Sequence, residues 1–292
     1  MKIITHLKSC IVKVFLSLLN YKRLMLKQIS QMKIQSFQDR ILTWWKDNRR
    51  QFPWRDTTDP YQIMVSEIML QQTQAPRVVE KYKMFIERFP DLKSLAIASQ
   101  SDVLSLWSGL GYNRRALWLQ EAAKAILKRG EFPITVPELK KLKGIGPYSS
   151  RSILIFAFNL DLATVDTNIR RILIAEGFAT ETTNEKELLI IAEQLLPKSK
   201  SRDWHNALMD YGSIELTSSK TGIKPTSQQD KFKESDREKR GKILKFLLGN
   251  KSVTIEELSR ITNSSKKQLE PILDKMVKDG LISSFKDEFQ VE

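Results

Sequence analysis

The sequence predicts an almost entirely helical protein with a small helix-rich module at its C-terminus, and four stretches predict it. Thr135–Arg171 reads as helix, tight glycine hairpin, helix, short connection, then a further helix opening at an aspartate. Upstream, the segments that start at Ser36 and Asp59 place apolar residues at helical spacing. Downstream, residues 236–292 read as three helices followed by a hairpin. A length of 292 residues accommodates one or two domains with an ample core.

Charge divides the chain. The net +14 includes six basic and no acidic residues in 1–31, and twelve basic against eleven acidic from Glu234 onward. Residues 32–233 therefore carry +7 together with most of the aromatics, the combination a phosphate-binding surface requires. Cys10 is the only cysteine, which excludes a disulfide within one chain. From Ile11 on there is no thiolate, and His6 and His205 are the only histidines, so a transition metal held by the protein is not expected.

Residues 1–31 are apolar and basic by turns. The run CIVKVFLSLLNY is interrupted by Lys13 and is too short to span a bilayer. No small-residue cleavage site follows it. A surface-lying amphipathic helix, an organelle-targeting segment and an overlong gene model all fit. The last is favoured, with Met25 or Met32 as the start.

From Ser36, capping-box spacing to Asp39 predicts the start of an amphipathic helix carrying Phe37, Ile41, Trp44 and Trp45. Phe52-Pro53-Trp54-Arg55 ends it in an extended aromatic loop. Asp59 then caps a helix with Pro60 in its first position. On that helix Glu67 has Ile63, Met64, Leu70 and Gln71 three and four residues away. A carboxylate on so apolar a face is expected to have its pKa raised by desolvation. The alternative is a core glutamate paired with an arginine such as Arg55.

Thr135 and Glu138 have capping-box spacing, with Pro137 in the first turn. Gly144-Ile145-Gly146 permits positive φ and leaves the turn bare except for Ile145. Pro147 starts the next helix, whose Ile153, Leu154, Ala157 and Phe158 share helical spacing. A hairpin feeding a helix N-terminus presents backbone N–H groups to an anion such as a DNA phosphate, without reading a base. An ordinary helix–turn–helix with a glycine cap has the same sequence. Asp166 in VDTN sits at the N-cap of a helix with Ile169, Ile172 and Leu173 inside, a place where aspartate is also common for structural reasons alone.

Taken together, the hairpin, helix and aspartate resemble the helix-hairpin-helix DNA glycosylases, the superfamily of endonuclease III. FPWRDTTDPYQIMVSEIMLQQTQ is very similar to the signature of the MutY-type adenine-DNA glycosylases, and GLGYNRRA, LKKLKGIGPYSSRSILIFAF, VDTN and ALMDYGS follow in the same order. The resemblance covers about Ser36 to Ser213. It implies a two-lobed, all-helical fold with Glu67 as catalytic acid and Asp166 as catalytic aspartate. Tyr148 and Asn168 match residues that support these two. Gln72 and Tyr112 match residues that insert into the duplex, and with Arg55, Gly144 and Gly146 they form the expected DNA-facing set. Such chemistry needs a proton on the leaving base and charge stabilisation at an oxocarbenium-like sugar, which two carboxyls in different surroundings supply. The base must first leave the stack.

Two departures refine the expectation. Bifunctional relatives carry a lysine where Tyr148 stands, and often another where Arg170 stands; arginine cannot act as an amine nucleophile, so no strand cleavage is expected. Most relatives continue after ALMDYGS into four cysteines that hold a four-iron–four-sulfur cluster, whereas this chain has Leu216 near the first cysteine position. A clusterless enzyme without cofactors is therefore expected. The Ser/Thr/Lys-rich stretch 214–235 reads as a linker between the glycosylase region, 32–213, and the tail, 236–292.

In the tail, Thr254 and Glu257 cap the second helix and Lys286-Asp287 turns the hairpin, an arrangement that resembles a winged helix. Pro271 conflicts with a third helix starting at Ser265, which should begin near Glu270 or kink. The tail is too short for the Nudix-like domain with which MutY-type enzymes inspect 8-oxoguanine. Its charge balance predicts an auxiliary or partner-contacting lobe, with recognition left to residues 32–233; the opposing view is that it replaces the Nudix-like domain and reads the base opposite adenine.

The expected activity is removal of adenine mispaired with guanine or 8-oxoguanine from double-stranded DNA. The enzyme is expected to act as a cytoplasmic, nucleoid-associated monomer with no membrane partner. Alternatives are a thymine or uracil mismatch glycosylase and a non-catalytic DNA-binding protein.

Overall fold

The computed structural model describes residues 29–226, 235–286 and 288–291. Most of the N-terminal extension, with His6 and Cys10, lies outside the described residues, as do residues 227–234 and Asp287. The helices run in the order α1 (Gln31–Asn48), α2 (Pro60–Leu70), α3 (Ala75–Arg88), α4 (Leu92–Ile97), α5 (Gln100–Trp107) and α6 (Arg114–Arg129). They continue as α7 (Val136–Leu139), α8 (Pro147–Phe158), α9 (Thr167–Ala175), α10 (Glu185–Gln194), α11 (Ser201–Ile214) and α12 (Ser218–Thr221). The tail holds α13 (Asp236–Leu248), β1 (Val253–Thr254), α14 (Ile255–Thr262), α15 (Lys266–Lys278), β2 (Ser283–Phe285) and β3 (Glu288–Gln290). No described helix is long and apolar enough to cross a membrane.

Two compact units form. One gathers the described residues 29–49 with Val165–Lys198 and Asp203–Ile223. Its core is seeded by α1, which buries Ile34, Phe37, Ile41 and Trp45 along one stripe. Phe37 meets Phe178 and Trp204 edge-on, with ring centres 5.1 and 5.5 Å away. The two polar groups this face buries are satisfied: Trp45 Nε1 donates to Asp210 at 2.9 Å, and Gln38 Nε2 donates to the Leu195 carbonyl at 3.0 Å.

The helix starts earlier than its spacing suggested. Ser30, not Ser36, is the N-cap, and its hydroxyl accepts from the Lys33 N–H. Ser36 is exposed within the helix, while Asp39 takes a hydrogen bond from Gln35 at 2.9 Å. Ile34 extends the apolar stripe one turn backward, and its burial favours helix there over a cap two residues later.

The other unit comprises Arg50–Thr164, Ser199–Arg202 and the described residues from Lys224 onward. Its centre is α2, capped as expected by Asp59, whose Oδ1 accepts from the Gln62 N–H at 2.9 Å. Every residue from Ile63 to Met69 is buried, so this helix is covered on all sides. It packs along α8 and also meets α3 and α6. At α7 the expected capping box is replaced by a different bond: the Thr135 hydroxyl donates to the Glu138 carboxylate at 2.8 Å and makes no cap to the backbone. Arg129 binds the other oxygen of Glu138 and draws that carboxylate aside.

The tail has the helix and strand order of a winged helix. Its strands form an antiparallel sheet in the order β1-β3-β2, with Val253 and Ser284 both opposite Phe289. Thr254 and Glu257 form the expected capping box. The third helix runs unbroken from Lys266 through Pro271, with Ser265 and Gln268 capping it. Pro271 is the sixth of the thirteen residues, inside the helix, where it lacks the N–H that would reach the Lys267 carbonyl; burial of Leu269, Ile272, Leu273 and Met276 on both sides of it offsets that loss. The stretch read as a linker begins folded: Thr217 caps α12, and Ile223 is buried.

Candidate active site

Glu67 is 7 % exposed, within the buried run Ile63–Met69 of α2. The Ser152 hydroxyl, one turn and a half into α8, donates to its Oε2 at 2.6 Å. Arg55 donates to the Arg50 carbonyl at 2.8 Å, and its guanidinium lies 5.2 Å from the Phe52 ring centre.

Two turns near Glu67 carry exposed polar or aromatic side chains on left-handed backbone. Gln72, just past α2, has φ 56°, and Tyr112, just before α6, has φ 47°. Residues other than glycine rarely adopt this conformation, and such strain concentrates at functional sites. Gln72 is exposed, and Tyr112 is 39 % exposed.

Both turns are fixed by one residue that sequence reasoning missed. Arg115 is buried, and its guanidinium donates to the carbonyls of Ile68 at 2.8 Å, Met69 at 3.1 Å and Gln71 at the end of α2. The same group donates to the Gly111 carbonyl at 2.9 Å and Thr73 Oγ1 at 3.2 Å. The last carbonyls of a helix lack partners within it, and a cation there also meets the negative end of the helix dipole. Burial lowers the Arg115 pKa to about 10, which still leaves it charged at neutral pH. Its only sequence signal was its place in GLGYNRRA.

The glutamine pair Gln71-Gln72 divides its labour. Gln71 Nε2 donates to the Gly144 carbonyl and to Ser149 Oγ, both at 3.0 Å, and so ties the hairpin to α2. Gly144 has φ 78°, as the tight turn demands, and a Cβ there would stand 3.1 Å from Trp118 Cβ. Gly146 does not follow the expectation of positive φ. Its φ is −89°, and a Cβ would meet nothing within 4 Å. It is the N-cap of α8 and offers no side chain to the first-turn N–H groups. Tyr148 is the second residue of that helix and half-buried.

Asp166 belongs to the other unit and is built differently. Its Oδ1 accepts from the Ile169 N–H at 2.7 Å, and its Oδ2 accepts from Asn168 Nδ2 at 3.0 Å. Arg171 donates to Asn168 Oδ1 at 2.6 Å, which turns the NH₂ end of that amide toward Asp166. Arg171 also donates to the Gly212 carbonyl at 2.8 Å and to the Leu216 carbonyl. Burial pushes the Asp166 carboxyl above the usual range, while the N–H donors and the Arg171 charge pull against it. Burial in turn lowers the Arg171 pKa. Gly212 is needed for the close approach of α11 to α9, because a Cβ would fall 2.9 Å from Asn168 Cβ. Arg170 donates to the Glu181 carbonyl at 3.1 Å.

These residues do not fit a four-iron–four-sulfur cluster, since the chain has one cysteine, Cys10. The corner after α11 is closed by protein groups instead. Lys220 Nζ donates to the Ile214 carbonyl at 2.9 Å, Ser218 Oγ donates to the Ile223 carbonyl at 2.8 Å, and Arg171 holds Leu216.

Comparison with known proteins agrees with this geometry. The family model described as HhH-GPD superfamily base excision DNA repair protein matches residues 65–198. The adenine DNA glycosylase of Mycolicibacterium smegmatis is 33 % identical over 271 residues, covering 85 % of this chain and 92 % of the relative. The adenine DNA glycosylase of Mus musculus is 34 % identical over 199 residues, 63 % of this chain but 39 % of that longer protein. Among solved structures, a thermostable thymine-DNA glycosylase has a TM-score of 0.59 at 30 % identity, covering 64 % of this chain and 88 % of its own. A trapped endonuclease III–DNA covalent intermediate has a TM-score of 0.58 at 18 % identity, covering 69 % and 91 %, a likeness of fold alone. By its near full-length match to the Mycolicibacterium relative and its helix-hairpin-helix architecture, the chain belongs to the adenine DNA glycosylase family.

Proposed function

We propose that the protein is a monofunctional base-excision-repair glycosylase that removes adenine opposite guanine or 8-oxoguanine in double-stranded DNA. The observation that carries the reading is Glu67, a buried carboxyl on a largely apolar, largely buried helix with a serine hydroxyl on one oxygen. Burial disfavours the charged form of a carboxyl in general, and a general acid needs its proton. Glu67 delivers a proton to the extruded adenine at N7. Asp166, held by N–H donors at a helix N-cap, offsets positive charge as it develops on the sugar. Each role rests on that residue's own surroundings.

Gln72 and Tyr112, on their left-handed turns, occupy the space the adenine leaves and open the stack at its partner. The hairpin Gly144–Gly146, with the uncapped start of α8, holds a phosphate through backbone N–H groups. Removing a mispaired base costs less unstacking than removing a paired one. With Tyr148 and Arg170 in the positions where relatives carry amines, water completes the reaction and the strand stays intact. The enzyme works without a cluster and as a monomer.

The thymine-DNA glycosylase at 30 % identity favours one second reading, removal of thymine or uracil from mispairs with guanine. Single-turnover excision on duplexes with A:G, A:8-oxoguanine, T:G and U:G separates the two. The proposal expects release from the first pair of substrates only. Faster release from T:G or U:G would replace it, and no release from any would leave a DNA-binding protein.

A further inference from the structure

The tail is seated beside one of the two left-handed turns. Arg237, in the first turn of α13, donates from its guanidinium to the Tyr112 hydroxyl at 2.9 Å, with the cation 5.8 Å from the ring centre. Arg115 stands on the same ring at 5.6 Å. The Tyr112 ring is thus engaged by two guanidinium groups from distant parts of the chain. Other bonds fix the tail at this place. Asp279, with a side chain 12 % exposed, accepts from Arg114 at 3.0 Å and from Arg240 at 2.6 Å. The Gly280 carbonyl accepts from Gln100 Nε2 at 2.7 Å. Arg114 lies two residues beyond Tyr112, so the seat of the tail and the tyrosine share the start of one helix.

We propose that Arg237 is a positioning residue for Tyr112, and that the C-terminal module contributes to discrimination of the base opposite adenine by fixing the direction of this side chain. The inference rests on the reading of Tyr112 as a residue that inserts into the duplex. An exposed aromatic side chain on a turn otherwise samples several rotamers, and ordering it in advance reduces what binding must spend. The near charge balance of the tail argues against a strong grip on phosphates, which would show as steep salt dependence. Holding Tyr112 requires no such grip. The tail then acts on the mispair through one hydrogen bond and one cation–ring contact.

The test uses the full-length protein and measures single-turnover excision and affinity on A:G and A:C duplexes. Arg237→Ala removes the donor, and Tyr112→Phe removes the acceptor while keeping the ring. Each is expected to lower the preference for A:G over A:C roughly threefold to tenfold, and the double variant should be no worse than either single one. Arg237→Lys, which keeps a cation, should recover part of the loss. Thermal melting of all variants should stay within a few degrees of the parent, since Tyr112 is exposed and Arg237 is only part-buried. Additive losses in the double variant would overturn the proposal. So would an unchanged preference in Arg237→Ala alongside a lost one in Tyr112→Ala. If Tyr112→Ala itself changes nothing, the reading of Tyr112 as an inserting residue fails, and the proposal with it.

Discussion

Gly212→Ala tests how tightly the Asp166 network depends on helix approach. The new methyl would stand 2.9 Å from Asn168 Cβ, 3.1 Å from Ile172 Cδ1 and 3.2 Å from the Asn168 backbone oxygen. Two of these three neighbours are close to the main chain of α9 and cannot swing away as a side-chain tip would. The helices must separate by several tenths of an ångström, an overpacking strain of about 1–3 kcal/mol. At roughly 2–4 °C per kcal/mol for a domain of this size, melting should fall by roughly 2–12 °C. The same displacement moves Asn168, whose amide is set between Arg171 and Asp166, so excision should fall by about tenfold or more. Gly146→Ala is the control: its φ of −89° suits alanine, and its Cβ meets nothing. That variant should melt no lower than the parent, yet bind duplex more weakly if the hairpin holds a phosphate. Parental melting and excision in Gly212→Ala would refute the argument.

Arg115→Lys should cost roughly 2–4 kcal/mol, because a single ammonium cannot reach the carbonyls of Ile68, Met69, Gln71 and Gly111 at once and leaves buried acceptors unpaired. Hydrogen exchange confined to residues 70–73 and 109–113 is the expected local sign. With the Asp166 carboxyl raised by burial, the charged form is lost at a higher pH than for an ordinary aspartate. Single-turnover excision should therefore decline on the acid side above the usual aspartate range, and an acid limb at or below that range would contradict the assignment. The purified protein should contain no iron, and borohydride should trap no enzyme–DNA adduct; a stoichiometric adduct would contradict the monofunctional reading.

Helices and most caps were legible because they depend on neighbours in sequence. Asp59, Asp166 and the Thr254–Glu257 box were read from spacing alone, and the structure forms each of them. Ser36 misled because Ser30 offers the same cap one and a half turns earlier, and burial of Ile34 decides between them. Glu67 stood out as a carboxylate among apolar residues. Its partner Ser152 did not, since 85 positions separate them and only packing of α2 on α8 joins them. Arg115 and Arg171 were hidden for the same reason. An arginine whose partners are backbone carbonyls of other helices leaves no pattern in sequence. Gly212 and Gly144 were visible as glycines, but only their neighbours at 3 Å show which of the chain's glycines cannot be replaced. The tail's three helices and terminal hairpin were legible, whereas the short strand Val253–Thr254 and the contact with Tyr112 were not.

Excision by Glu67→Gln tests the central claim most directly. The amide keeps the size and hydrogen-bonding ability of the buried side chain but cannot deliver a proton to the leaving base. Single-turnover excision on an A:8-oxoguanine duplex, measured beside equilibrium binding to the same DNA, should show affinity retained within a few-fold and base release lost. Release at the parental rate would contradict Glu67 as the acid, and with it the two-carboxylate mechanism.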